Sequence, residues 1–408
     1  MPSRYARLSR ERLATLVPEL LLTGHLIDRA GMPFCLEAWG EEEMARIAVE
    51  EWAGASPIYT RRMQRALGFE GDDVPTIFKG MQLDIGAPPQ FMDFRYTVTD
   101  RWHGAFHLDH CGALLDVEPM GASMVRRMCH DIEDPTFDAT AVATNPRARV
   151  RPVHRPPRVP ADRRPHCAWT VVIDADSPAV EPVPAAAVNE RSRAATLVLD
   201  EIDRDDEGLA DYAGPLVDDL DFGAFSHSAL VRIADEVVLQ HHLLNLSFHL
   251  AVRKRAGDDE RLFRRVVSRQ LIGYAGVTAE RLHRALGLGR APEDAAEVLE
   301  LHPLLNPLPY VHLEREGDTV AVVRSPAHED GGWLPLCSPE SPDALRAAAR
   351  AVDPRLDVEV TGGAVDWSAR VVRTSVAVPE SEEVAVAKVS GGASFRFERR
   401  GSLPIFVR

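Results

Sequence analysis

The chain reads as an α+β protein built from two related domains, each with N-terminal helices followed by a small antiparallel sheet. Three observations predict this. The chain has 408 residues, 45% apolar and 27% charged, which is ordinary globular composition in a length that exceeds one usual hydrophobic core. Segments with helical period precede segments that alternate like strands. The chain also matches itself: "EEWAGASPIYTRRMQRALGF" from Glu50 lies over "RQLIGYAGVTAERLHRALGL" from Arg269 at an offset of 219.

That offset pairs Gly54 with Gly273, Arg62 with Arg281, Gly112 with Gly331 and Asp134-Pro135 with Asp353-Pro354. It also sets "HCAWTVVI" loosely against "GASFRFER". Domains are therefore expected at 1–175 and 220–408, as an internal duplication. Residues 176–219 form a proline- and alanine-rich, then acidic, connection between them. The acidic stretch from Asp200 to Asp221 reads as a solvated surface.

In chain order, the apolar stretch from Leu13 to Ile27 is interrupted by Pro18, Glu19, Thr23, Gly24 and His25, so it fits neither a signal peptide nor a membrane span. Glu41 to Trp52 and Ser56 to Gly68 carry apolar residues at helical spacing. "FRYTVTD" (Phe94 to Asp100) alternates as a half-buried strand, with "GAFHLDHCGALLDVE" (Gly104 to Glu118) as hairpin partner. On that partner His107 and Asp109 share one face, while His110 turns with Phe106 and Leu108 to the other. Val125, Met128, Cys129 and Ile132 mark a short helix that Asp134-Pro135 should stop. "ARVRPVH" and "CAWTVVI" are two further strands. In the second half, "LQHHLLNLSFHL" is an amphipathic helix whose His241, His242 and His249 read as core or interface residues.

A net charge of −15 argues against a nucleic-acid partner and for a soluble protein. Five cysteines, an odd number, point to reduced thiols in the cytoplasm rather than a disulfide framework, and no membrane partner is expected. A homodimer is compatible with these features.

Six of the fifteen histidines and three of the five cysteines fall between His103 and Cys167. Imidazole and thiolate together suit a transition metal, zinc first and iron second. Strand and helix facing narrow the ligands to Cys111, Cys129, His154 and Cys167, with His107, His110, His130 and His166 as competitors. An open position on such an ion would activate water for hydrolysis, and Glu118, Asp131 and Glu133 are the nearby carboxylate bases. A closed four-ligand site would only staple the hairpin to the helix.

"HCGALL", a helix, a strand with a ligand-type residue and then "HCAWTVVI" resemble the metal-binding end of the 4-vinyl reductase domain family and of its relative, the L-2-amino-thiazoline-4-carboxylate hydrolase family. The resemblance spans about residues 93–174. It implies that Cys111 and Cys167 stand at the first and last cysteine positions, with Trp169 at an aromatic one. His154 stands where those families carry a middle cysteine. By the offset of 219 the second half lacks the set, with Asp330, Ala348, Arg373 and approximately Ala393 at the matching places.

The resemblance implies a metal-dependent hydrolase, or a related lyase or hydratase, acting on a C–N bond of a small and possibly heterocyclic or amidine-like molecule. Two alternatives stand beside it: a metal-stapled small-ligand-binding or sensory protein, and an enzyme with a cysteine nucleophile. Arg147, Arg149 and Arg151 share one strand face that could hold a substrate carboxylate or phosphate, so a small-molecule anion is the expected partner.

Overall fold

The computed structural model describes residues 3–397 and 400–406. Ser9 accepts a hydrogen bond from the Arg12 amide and starts α1 (Arg10–Ala66), whose apolar positions Leu13, Leu16, Val17, Leu20 and Leu21 are all buried. Only Gly40, at φ 80°, leaves helical geometry and kinks it. The two separate helices expected between Glu41 and Gly68 are instead one run, because Ser56 and Pro57 continue the helix without a break. α2 (Val74–Met81) follows, capped by Asp73.

β1 (Met92–Val98) and β2 (His103–Cys111) form the hairpin, and the rest of the expected partner strand is helical, as α3 (Gly112–Val117). Then come α4 (Ala122–Arg126), a π-helical turn (Arg127–Ile132) and α5 (Glu133–Ala141). The stop expected at Asp134-Pro135 is absent. Pro135 falls in the first turn after the π segment, where a missing N–H is tolerated. β3 (Ala148–His154) and β4 (Cys167–Ile173) have the bounds that alternation implied, and they close a sheet of order β1-β2-β4-β3.

The connection holds α6 (Pro184–Asn189) and α7 (Arg193–Thr196). The second half opens with α8 (His227–Ala256) and α9 (Glu260–Leu286), joined at Gly257 with φ 58°. α10 (Pro292–Leu301), β5 (Leu313–Glu316), β6 (Thr319–Val322), α11 (Pro326–Asp330), α12 (Asp343–Val352), β7 (Leu356–Gly362), β8 (Trp367–Arg373) and α13 (Glu382–Ala387) complete the chain. The second sheet has the order β5-β6-β8-β7, which is the order of the first. Both sheets are antiparallel, so the fold is α+β.

The offset of 219 holds along the helical segment from Glu50 to Phe69 and fails in the sheets. It would carry β3 onto β8, whereas sheet order sets β3 against β7 and β4 against β8. The substitutes proposed for Cys111 and Cys167 shift accordingly: Cys111 caps α3 as Ser325 caps α11, and Cys167 opens β4 as Trp367 opens β8. The strands and connections before β7 are already shorter in the second half, and the connection between β7 and β8 is shorter again than that between β3 and β4.

The helices pack as one layer. α1 lies along α8 and α9, and a single apolar cluster reaches from Tyr5 through Val237 and Tyr274 to Val371. Arg62 on α1 makes a buried two-pronged pair with Glu236 on α8, and Arg281 on α9 pairs with Glu19 on α1. Gly54 gives α6 room to approach: a Cβ there would lie 2.9 Å from Ala185. Gly273 does the same for α13, where a Cβ would meet the Glu383 carbonyl at 2.6 Å. Among the described residues, no helix is long and apolar enough to cross a membrane.

Candidate acid–base cavity and thiol cluster

The inner face of the first sheet is set by alternation and two register irregularities, one between β1 and β2 and one between β3 and β4. Phe106 and Leu108 point inward opposite Trp169 and Cys167. Between Leu108 and Cys111, β2 holds one residue more than β1 holds between Phe94 and Met92, so a bulge forms. The bulge swings Cys111 inward and leaves His110 outside, the reverse of the facing expected from simple alternation. His110 Nε2 instead donates to the Ala393 carbonyl, 2.6 Å away, and its ring lies on that of Phe395. The π turn presents Cys129 to the same interior.

Cys111, Cys129 and Cys167 are therefore brought together. Burial pushes all three thiols up, Cys111 to about 12; Glu133 pushes each further in the same direction, and neighbouring thiols add to the rise at Cys129 and Cys167. These are inert protonated thiols as they stand. The Cys111 sulfur accepts from the Leu114 amide at 3.4 Å, and the Cys111 amide donates to His166 Nδ1 at 3.1 Å. Burial lowers His166 to about 4, with Arg158 and Arg164 adding to the shift.

The remaining sequence candidates are not part of this group. His154 and His107 both pair with Ala168, on the sheet face opposite Cys167. His107 sits beside Asp109 at 3.3 Å, as their shared face implied. His130 is tied to the Pro156 carbonyl at 2.6 Å. Glu118 is held by Arg158 through two hydrogen bonds, and Asp131 by Arg127 on the surface, so neither is a free base near the thiols. Arg147 and Arg149 are bonded to the carbonyls of Ser177 and Pro178, and Arg151 to Asp138. Among the described residues, no three His, Cys, Asp or Glu side chains converge at the spacing that holds a metal ion.

Glu133 is the one expected carboxylate that faces a hollow. A cavity of about 100 Å³ lies between α1, the sheet and α5, lined by Glu133, His25, Asp28, Asp84, Met128 and Phe137 among others. A second chamber of about 160 Å³ adjoins it, since His25, Asp28, Ala113, Met128 and Ile132 line both. Burial raises Glu133 to about 8, with Asp134 adding and Arg155 opposing. Burial raises Asp28 to about 6 against a hydrogen bond from Trp52 Nε1 at 3.3 Å, and it lowers His25 to about 4. Glu133 Oε2, Asp28 Oδ1 and His25 Nδ1 are each buried without a hydrogen-bond partner. Behind Asp28, Glu51 is wholly buried with neither oxygen bonded. Unmet polar ends of this kind are costly to bury.

Sequence reasoning missed His25, Asp28 and Glu51. A signal for them existed. "LLTGHLID" (Leu21 to Asp28) lies over "VLQHHLLN" (Val238 to Asn245) at an offset of 217, which also matches the two kink glycines, Gly40 and Gly257. His25 and Asp28 thereby stand opposite His242 and Asn245, and beyond the kink the offset of 219 sets Glu51 opposite Gln270.

No family model, curated protein or solved structure gives a significant match to this chain.

Proposed function

We propose that the first-half cavity is the site of a hydrolase acting on a C–N bond of a small molecule, with Glu133 as general acid and Asp28 as general base. The observation that carries this reading is that two carboxyls with unpartnered oxygens, held at about 8 and about 6, line one cavity. Near pH 7, Glu133 is then mostly protonated and Asp28 mostly ionised, which is the division of labour acid–base catalysis needs. Asp28 takes a proton from water as its oxygen bonds to the substrate carbon. Glu133 gives its proton to the nitrogen as the C–N bond breaks, and solvent restores both groups. Neutral His25 supplies a further hydrogen-bond donor or acceptor beside them.

Turnover of small amides and cyclic amidines, followed by release of amine, tests the assignment. Glu133→Gln and Asp28→Asn should each lower kcat by about 10²-fold or more while the folded signal in circular dichroism persists. Full activity in the double variant would remove the assignment.

A zinc or iron ion on Cys111, Cys129 and Cys167 is the second reading, favoured by the grouping of three thiols with Glu133. The donor chemistry fits and the spacing does not, so no step above passes through a metal. Elemental analysis of the purified chain and of a Cys111→Ser, Cys167→Ser variant decides it. Stoichiometric metal lost in the variant supports the site, and metal-free wild type overturns it.

A further inference from the structure

The second half shows what fills a pocket of this design when its acids are amides. His242, Asn245 and Gln270 occupy the places of His25, Asp28 and Glu51, and Trp333 packs among them. Its ring lies 5.5 Å from that of His242 and stacks on Tyr274 at 4.3 Å, and its Nε1 donates to Gln270 Oε1 at 3.1 Å. A flat apolar arm bearing an N–H donor is thus the built-in occupant of the neutral version. In the first half the amides are carboxyls, the Trp52 indole donates to Asp28 Oδ2 at 3.3 Å, and a cavity adjoins the free Oδ1.

The geometry points to an organic monocation with N–H donors on a flat apolar arm, an arylalkylammonium in chemical class, as the ligand of the first-half cavity. This rests on the reading that the cavity is the functional site, and it replaces the anion expected from the arginine-bearing strand. Asp28 is only 8% exposed, and its free Oδ1 lines the cavity together with the free Oε2 of Glu133. The cation that lines the cavity, Arg29, is committed to Asp116 at 3.0 Å. An anion would face these carboxyls with no unpaired positive charge to meet it, whereas a cation would satisfy their open oxygens. The adjoining chamber suits the arm. Met32, Met44, Met120, Met124 and Met128 line it, and unbranched thioethers adapt to an aromatic surface.

Calorimetric titration of the full chain with four probes tests this: benzylammonium, benzyl alcohol, benzoate and methylammonium. Benzylammonium should bind roughly tenfold or more tightly than each of the others, a margin of one power of ten in Kd. Asp28→Asn should abolish its advantage over benzyl alcohol. Met124→Gln should shrink its advantage over methylammonium while keeping its advantage over benzyl alcohol. Equal binding of benzyl alcohol, tighter binding of benzoate, or no binding of benzylammonium overturns the inference. Tight benzylammonium binding with no C–N turnover would sink the hydrolase alone. Turnover of uncharged substrates that benzylammonium does not inhibit would sink the cation and leave the hydrolase standing.

Discussion

The two halves lay their sheets in the same order, but where the first sets buried carboxyls beside a cavity the second sets amides around a buried indole. In each, a long helical pair breaks at a glycine with positive φ, a four-stranded sheet follows, and a short helix returns to dock on a glycine of the second helix of the pair. In the second half, Asn245 donates to Gln270, Trp333 donates to the same amide oxygen, and the indole fills the space. In the first half, Asp28, Glu51 and Glu133 are buried with oxygens unbonded beside a cavity. Replacing carboxyls by amides removes the cost of burying an ionisable group, and filling the void restores dispersion contacts. The first half forgoes both, which is what a site held open for a ligand requires.

The largest expected effect breaks the filled half. Trp333→Ala should lower stability by about 3–5 kcal/mol in urea unfolding, the cost of removing a fully buried aromatic side chain. A loss below about 1 kcal/mol would mean that the indole is not the plug described above.

Next in size is a gain in the open half. The carboxyl of Glu133 sits at about 8 in the folded chain, above its ordinary range near 4.5. A raised carboxyl favours the fold fully below its unfolded pKa, and that contribution is lost as pH rises through the folded pKa. Glu133→Gln does not titrate, so it should match wild type near pH 4 and exceed it by roughly 4 kcal/mol at pH 8. The same advantage at both pH values would show that the gain comes from packing instead.

The smallest effect separates the two glycine crossings. A Cβ at Gly273 meets backbone, the Glu383 carbonyl at 2.6 Å, whereas at Gly54 it meets side-chain atoms, the Ser247 hydroxyl at 2.6 Å and the Ala185 Cβ at 2.9 Å. Gly273→Ala should therefore cost about 1 kcal/mol more than Gly54→Ala, both within the usual range for overpacking. Equal losses in thermal melts would mean that α13 shifts as easily as a side chain turns.

Much of the first sheet was legible before any coordinate. β3 and β4 follow from alternation alone, because each has one buried and one wetter face over seven residues. The grouping of Cys111, Cys129 and Cys167 was legible as a density of thiols, and Glu133 as a carboxylate nearby. Their surroundings were not. A single bulge exchanged the facings of Cys111 and His110, and the π turn carried the helix past Pro135. A register irregularity between Pro152 and His154 turns His154 to the wrong face for the thiols, where strict alternation would have kept it with Val150 on the inner one. The expected bases Glu118 and Asp131 and the arginines 147, 149 and 151 are engaged by partners distant in sequence or a turn away, which composition does not reveal.

By itself the sequence determined the α+β class, the strand pairs, the recurring helical segment and the absence of a local reason for a disulfide framework, since these depend on period and composition within short windows. The tertiary structure alone decided which charges meet. Asp28 and Glu133 are more than a hundred residues apart, and their pKa values, unbonded oxygens and shared cavity arise from burial against each other's elements. Desolvation is a property of the assembled interior, and no window of the chain carries it.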